Sequence, residues 1–181
     1  MTVFIVGGSK SGKSDFAQEV ALKLANGGRH YYVATLMPTD NEADQAIIRS
    51  HLHRRDGMGF ETIECGRNIL SCLESANRTG TFLLDSVTTL LSNELYPVEK
   101  LYEPNETAAK RCCKDLEAFI LRVSNAVIVS DDLFRDAVRI DAGTDLFRQH
   151  LGRIHCCLAA KCDVVLEMAF GNLIVHKGEW E

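Results

Sequence analysis

MTVFIVGGSKSGKSDFAQEV, residues 1–20, sets a short β-rich run, Thr2–Val6, directly before a glycine turn and a helical pattern that starts near Ser14. Inside it, GGSKSGKS (residues 7–14) fits G-x-x-x-x-G-K-[ST] at every fixed position. The chemistry of such a turn is specific. Glycines let the backbone turn tightly and aim N–H groups at phosphate oxygens. The helix that follows adds the positive end of its dipole. Gly7, Gly8, Ser9, Lys10, Ser11, Gly12, Lys13 and Ser14 are therefore expected to bind a nucleotide. Lys13 is expected to meet the β- and γ-phosphates as a catalytic cation, and the Ser14 hydroxyl to ligate Mg²⁺.

Beyond this turn, short β-rich runs alternate with longer helical ones. The strands expected are Thr2–Val6, Tyr31–Ala34, Thr62–Glu64, Thr81–Asp85, Ala126–Ser130 and Val164–Met168, with Leu173–Val175 closing a hairpin. The helices expected are Ser14–Ala25, Glu42–Arg54, Ile69–Ala76, Glu106–Val123 and Asp141–Lys161. Strands alternating with helices imply crossover units and a mostly parallel central sheet, an α/β class. The runs FLLD and AVIVSD are apolar on both faces, as central parallel strands are, and each ends in a carboxylate. Open α/β sheets bind ligands at that end. Asp85 is accordingly expected to help hold the nucleotide and its Mg²⁺, the plainer alternative being a helix N-cap before SVTTLLSNEL.

Composition narrows the function. The chain has 181 residues, the size of one domain, so residues 1–181 are expected to form a single phosphate-loop nucleotide-binding domain. A net charge of −5 gives a nucleic-acid partner no support. No apolar run reaches the ~18 residues of a membrane span, and VFIV is too short for a secretion signal. A cytoplasmic protein is expected. The seven cysteines include no C-x-x-C pair, so a disulfide framework is not expected. His155-Cys156-Cys157 with Cys162 matches no zinc spacing, and buried helical thiols are the better reading.

A second constellation lies in IIRSHLHRRDGMGFETIE, residues 47–64. His51 and His53 stand among Arg49, Arg54 and Arg55, ahead of a short strand ending at Glu64. Neutral imidazole is a nucleophile near physiological pH, and guanidinium groups stabilise phosphate charge. The plainer alternative is a solvated basic helix end. A His-x-His metal pair is disfavoured, because residues i and i+2 point to different helix faces.

In order along the chain stand GGSKSGKS, YYVAT, the His/Arg segment closing with GFETIE, LLDSVTTLLSNELY, VIVSD, and FR-x-x-x-GR running into CDVVLEMAFGNLIVHKG. This ordered set resembles the adenosylcobinamide kinase/adenosylcobinamide-phosphate guanylyltransferase family of cobalamin biosynthesis, over essentially the full length. The resemblance implies a phosphate-loop NTPase-like three-layer α/β domain assembled as a homotrimer. It implies two reactions: phosphorylation of adenosylcobinamide with ATP or GTP, then transfer of GMP from GTP onto that phosphate through a guanylyl-histidine. Counting from Ile48, the family nucleophile falls on His51, with His53 the alternative. Arg54 or Arg55 would hold the triphosphate, and Glu64 would contact guanosine. Three departures stand out: Ile47 replaces an arginine, Ser130-Asp131-Asp132 replaces an Asn-Glu pair, and His155 replaces an asparagine. They leave two competing readings open, a single-activity kinase or nucleotidyltransferase and a non-catalytic GTP-binding regulator.

Overall fold

A computed structural model describes residues 1–37, 42, 49, 55–135 and 141–180. The described residues build one seven-stranded sheet, from β1 (Thr2–Gly7), β2 (His30–Ala34), β3 (Glu61–Glu64), β4 (Thr81–Asp85), β5 (Asn125–Asp131), β6 (Val164–Ala169) and β7 (Asn172–Lys177). The spatial order is β3-β2-β4-β5-β1-β6-β7. All neighbours pair in parallel except β6 and β7, which form the antiparallel hairpin. The helices that lie wholly within the described residues are α1 (Lys13–Ala25), α2 (Val87–Leu95), α3 (Glu106–Arg122) and α4 (Ala142–Lys161), with 3₁₀ turns at Ile69–Leu73 and Val98–Lys100.

Alternation along the central strands decides the layers. Phe4, Val33, Phe82, Leu84 and Ile128 face one side and pack against Leu90 and Leu91 of α2, Leu116 and Phe119 of α3, and Leu151, Ile154 and Leu158 of α4. Val3, Ile5, Tyr32, Leu83, Val127, Val129 and Leu166 face the other side and pack against Ala17, Val20 and Ala21 of α1. Burial on both faces is what a parallel sheet requires, and it explains why these strands read as continuous apolar runs.

Two expectations are corrected and one alternative is set aside. The segment from Ile69 is a 3₁₀ turn ending at Leu73, not a helix to Ala76. Asn68 enters it at φ 49°, and Asn77 takes the Thr79 N–H and folds the chain back before helix can propagate. The cap of α2 is Ser86, whose side chain accepts from the Thr89 N–H, so Asp85 is released from that role. Cys65, Cys72, Cys112 and Cys162 are buried, but Cys156 is exposed and Cys113 and Cys157 are half-buried. Of the expected helix Glu42–Arg54, only Glu42 and Arg49 are described, both helical; His51, His53 and Arg54 lie outside the described residues.

Candidate nucleotide site

The turn after β1 is built for an anion. Gly7 ends the strand against β6: a Cβ there would stand 2.6 Å from the Met168 carbonyl and 2.8 Å from Ser11 Oγ, so only glycine fits. The loop needs two left-handed residues, Lys10 at φ 58° and Gly12 at φ 88°. Gly12 is the N-cap of α1 and offers no side chain to the first-turn N–H groups, which leaves that helix end open to a phosphate. Ser11 Oγ is buried without a hydrogen-bond partner, a polar atom aimed at the loop interior.

Lys13 is 8 % exposed and turns back over the loop. Its ammonium donates to the Gly8 carbonyl at 3.1 Å and pairs with Asp131 Oδ1 at 2.6 Å. Asp131 ends β5, the strand beside β1, in register with Gly7. Asp85 ends β4, two strands from β1, which at ~4.8 Å per strand is roughly 10 Å across the sheet. Its Oδ2 accepts from the Tyr32 hydroxyl at 2.8 Å. Glu64 ends β3, exposed, and Glu64 and Asp85 both register with Ala34 of β2. The carboxyl edge of the sheet thus carries three acids, of which Asp131 stands beside the phosphate loop.

Behind Asp131 runs a buried polar chain. The Thr88 hydroxyl accepts from the Asp131 N–H at 2.8 Å and hydrogen-bonds Ser130 Oγ at 3.2 Å. His155 Nε2 shares a hydrogen bond with Ser130 Oγ at 2.7 Å, its ring edge-on to Phe4 and Phe134. Burial holds the His155 imidazole down to about 4, against the opposing pull of Asp132 and Asp131. It is a neutral hydrogen-bonding group at physiological pH.

A cleft of about 550 Å³ opens over the loop, lined by Gly8–Gly12, Arg135 and the β6–β7 turn at Met168–Gly171. Arg135 is held there by Asp132 and Glu167, and His176 shares the other Glu167 oxygen at 2.8 Å. Phe170 at the tip of the turn is 93 % exposed. Volume and lining suit a bound nucleotide, with cation and N–H groups at one end and an aromatic face at the other.

Of the basic segment, Arg55 is described. It is 8 % exposed, with its guanidinium 3.5 Å from the centre of the Tyr32 ring. Tyr32 therefore links Arg55 on one side to Asp85 on the other. Burial, with the Asp85 carboxylate, pushes the Tyr32 phenol well above its usual range, so it remains a donor. Arg55 also lines a concavity of about 440 Å³ with Asp56, Gly57, Gly59, Phe60 and Thr62.

The structure brings together the phosphate loop, Lys13 and an acid that the sequence reading did not single out, Asp131. Its signal was legible: AVIVSD ends in a carboxylate just as FLLD does. Arg135 and Phe170 carry no such signal, because they reach the cleft from loops remote in sequence. The oxygen donors present fit Mg²⁺, a hard cation that takes hydroxyl, carboxylate and water. Ser14, at the start of α1, and Asp85 are the residues that would hold it.

A family model described as cobinamide kinase / cobinamide phosphate guanyltransferase matches residues 3–175. No curated protein sequence matches the chain. Among solved structures, the ATPase domain of another protein superposes with a TM-score of 0.50 at 11 % identity, over 98 % of this chain and 76 % of that one. A Pyrococcus horikoshii OT3 protein also gives 0.50 at 11 % identity, over 99 % of this chain and 87 % of its own. At such identity these two likenesses speak for the fold, which is that of the phosphate-loop NTPases.

Proposed function

The chain belongs to the cobinamide kinase / cobinamide phosphate guanyltransferase family, and on that premise we propose that it performs both reactions, using ATP or GTP for the first and GTP for the second. The observation that carries the nucleotide half is the loop itself. Lys13 lies over the loop at the carboxyl edge of the sheet, next to an uncapped helix start. When bound, Mg²⁺ neutralises charge on the phosphates.

In the kinase step, the hydroxyl oxygen of adenosylcobinamide attacks the γ-phosphorus and its proton passes to water. The bond to the β-phosphate oxygen breaks, and nucleoside diphosphate leaves. Lys13 and the loop N–H groups face the phosphates and stabilise the charge that develops there. In the transfer step, one imidazole nitrogen of His51 attacks the α-phosphorus of GTP and pyrophosphate departs. The phosphate of adenosylcobinamide phosphate then displaces the imidazole, giving adenosylcobinamide-GDP. Splitting one displacement into two lowers each barrier. Arg54 and Arg55 hold the triphosphate in this reading, and Glu64 contacts guanosine; support for the latter is its place at the end of β3, on the same sheet edge as the loop.

The test is incubation with GTP, Mg²⁺ and adenosylcobinamide, followed by mass measurement of the corrinoid. The expected sequence is a gain of one phosphate, then of GMP. An unchanged corrinoid with GTP bound contradicts the proposal and favours a non-catalytic regulator. Arrest at the phosphate favours a kinase alone.

A further inference from the structure

The helix layer that does not carry the phosphate loop holds a second cluster. Cys113 and Glu117 stand one turn apart on α3 and meet Cys157 of α4 across the seam between the helices. Their ligand atoms all lie within 4.8 Å of one another. All three residues are half-buried. Cys157 donates its S–H to Glu117 Oε1.

We propose that Cys113, Glu117 and Cys157 form a binding site for one thiophilic divalent cation of the Zn²⁺ class. Two sulfurs and a carboxylate oxygen are a donor set that Zn²⁺ takes in tetrahedral geometry, with water in the fourth position. Bonds of about 2.3 Å to sulfur at the tetrahedral angle place two sulfurs roughly 3.8 Å apart, within the spread of the present cluster. Each cysteine comes from a doublet, Cys112-Cys113 and Cys156-Cys157. Successive helical residues point about 100° apart, so only one thiol of each doublet enters the seam: Cys112 is buried in the core and Cys156 is exposed.

The electrostatics ask for a cation. Burial and the Glu117 carboxylate push the Cys157 thiol up to about 12, and burial raises Cys113 as well. Glu117 brings the negative charge that a cation would meet at the site. Entry of the ion breaks two S–H bonds and releases two protons. It forms two metal–sulfur bonds and one metal–oxygen bond, leaving the site with one net negative charge. Affinity therefore rises with pH. Because the ligands come from two helices, the ion pins α3 to α4 and stabilises the folded chain. The donor set also separates this site from the nucleotide site, which offers oxygen alone.

The test is titration of the reduced full-length protein with Co²⁺ in the absence of nucleotide. The proposal predicts one equivalent bound, with a thiolate-to-cobalt charge-transfer band and tetrahedral visible bands, both bleached by Zn²⁺, and a rise in melting temperature with Zn²⁺. Cys113→Ser and Cys157→Ser lose the charge-transfer band. Glu117→Gln weakens binding by about tenfold or more. Cys156→Ser, one residue away and exposed, keeps the band. Circular dichroism confirms that each variant is folded. The proposal is overturned if the unaltered protein shows no thiolate band, if folded Cys157→Ser or Cys113→Ser retains it, or if Cys156→Ser abolishes it.

Discussion

Lys13 shows how one side chain serves two states. Pairing with Asp131 at 2.6 Å and with the Gly8 carbonyl keeps a nearly buried ammonium satisfied. A triphosphate in the loop takes over that role with a larger charge. Lys13→Ala is predicted to lower corrinoid phosphorylation by about 100-fold or more, the cost of removing one charge-stabilising donor, as read by the rate of product formation. His155 makes a second residue-level prediction. Its folded pKa is depressed from 6.5 to about 4 by burial. Between those values the unfolded chain binds more protons, so stability is full above about 6.5 and falls as pH drops toward 4. The loss is on the order of 3 kcal/mol at most, at about 1.4 kcal/mol for each pH unit crossed. Urea unfolding across that window should show the slope, and His155→Asn should flatten it. A slope equal in both proteins contradicts the assignment.

At the scale of elements, the phosphate loop was legible because its constraint is local. Gly7 has to be glycine for the chain to pass β6, and Gly12 has to be glycine to take φ 88° before α1. Gly7→Ala drives a Cβ against a backbone carbonyl, and overpacking of this kind costs about 1–3 kcal/mol. The expected readout is a lower melting temperature together with weaker GTP binding; unchanged values for both would show that the loop relaxes freely. The cap of α2 is a milder case: Ser86→Ala should cost about 1 kcal/mol in denaturant unfolding, as loss of a side-chain cap does. The turn at Ile69–Leu73 reads as a helix because Ile69, Cys72 and Leu73 are buried at i, i+3 and i+4, the spacing of a helix face. Burial spacing does not reveal how soon Asn77 pulls the chain out of it. The acids at strand ends were visible as a class, but which of them meets Lys13 was not.

At the scale of the whole molecule, alternation of strands and helices was enough for the α/β class, since only a parallel sheet covered on both faces suits such runs. Strand order was not legible, because it depends on pairings between distant segments. β5 inserts between β4 and β1, and this is why Asp131, not Asp85, sits beside the loop. The β6–β7 hairpin leaves Phe170, Leu173, Ile174 and Val175 exposed, apolar surface that suits the homotrimer implied by the family resemblance. Sedimentation should then give three times the 20.1 kDa chain mass, and a monomer would contradict it. Both reactions are proposed for this one chain, with His51 supplying the covalent route for GTP. The most direct measurement is trapping of label from α-labelled GTP with Mg²⁺ on denatured protein. The unaltered chain is predicted to carry one acid-labile, base-stable GMP, and His51→Ala none. An adduct retained by His51→Ala, or no adduct on the unaltered chain, contradicts the account.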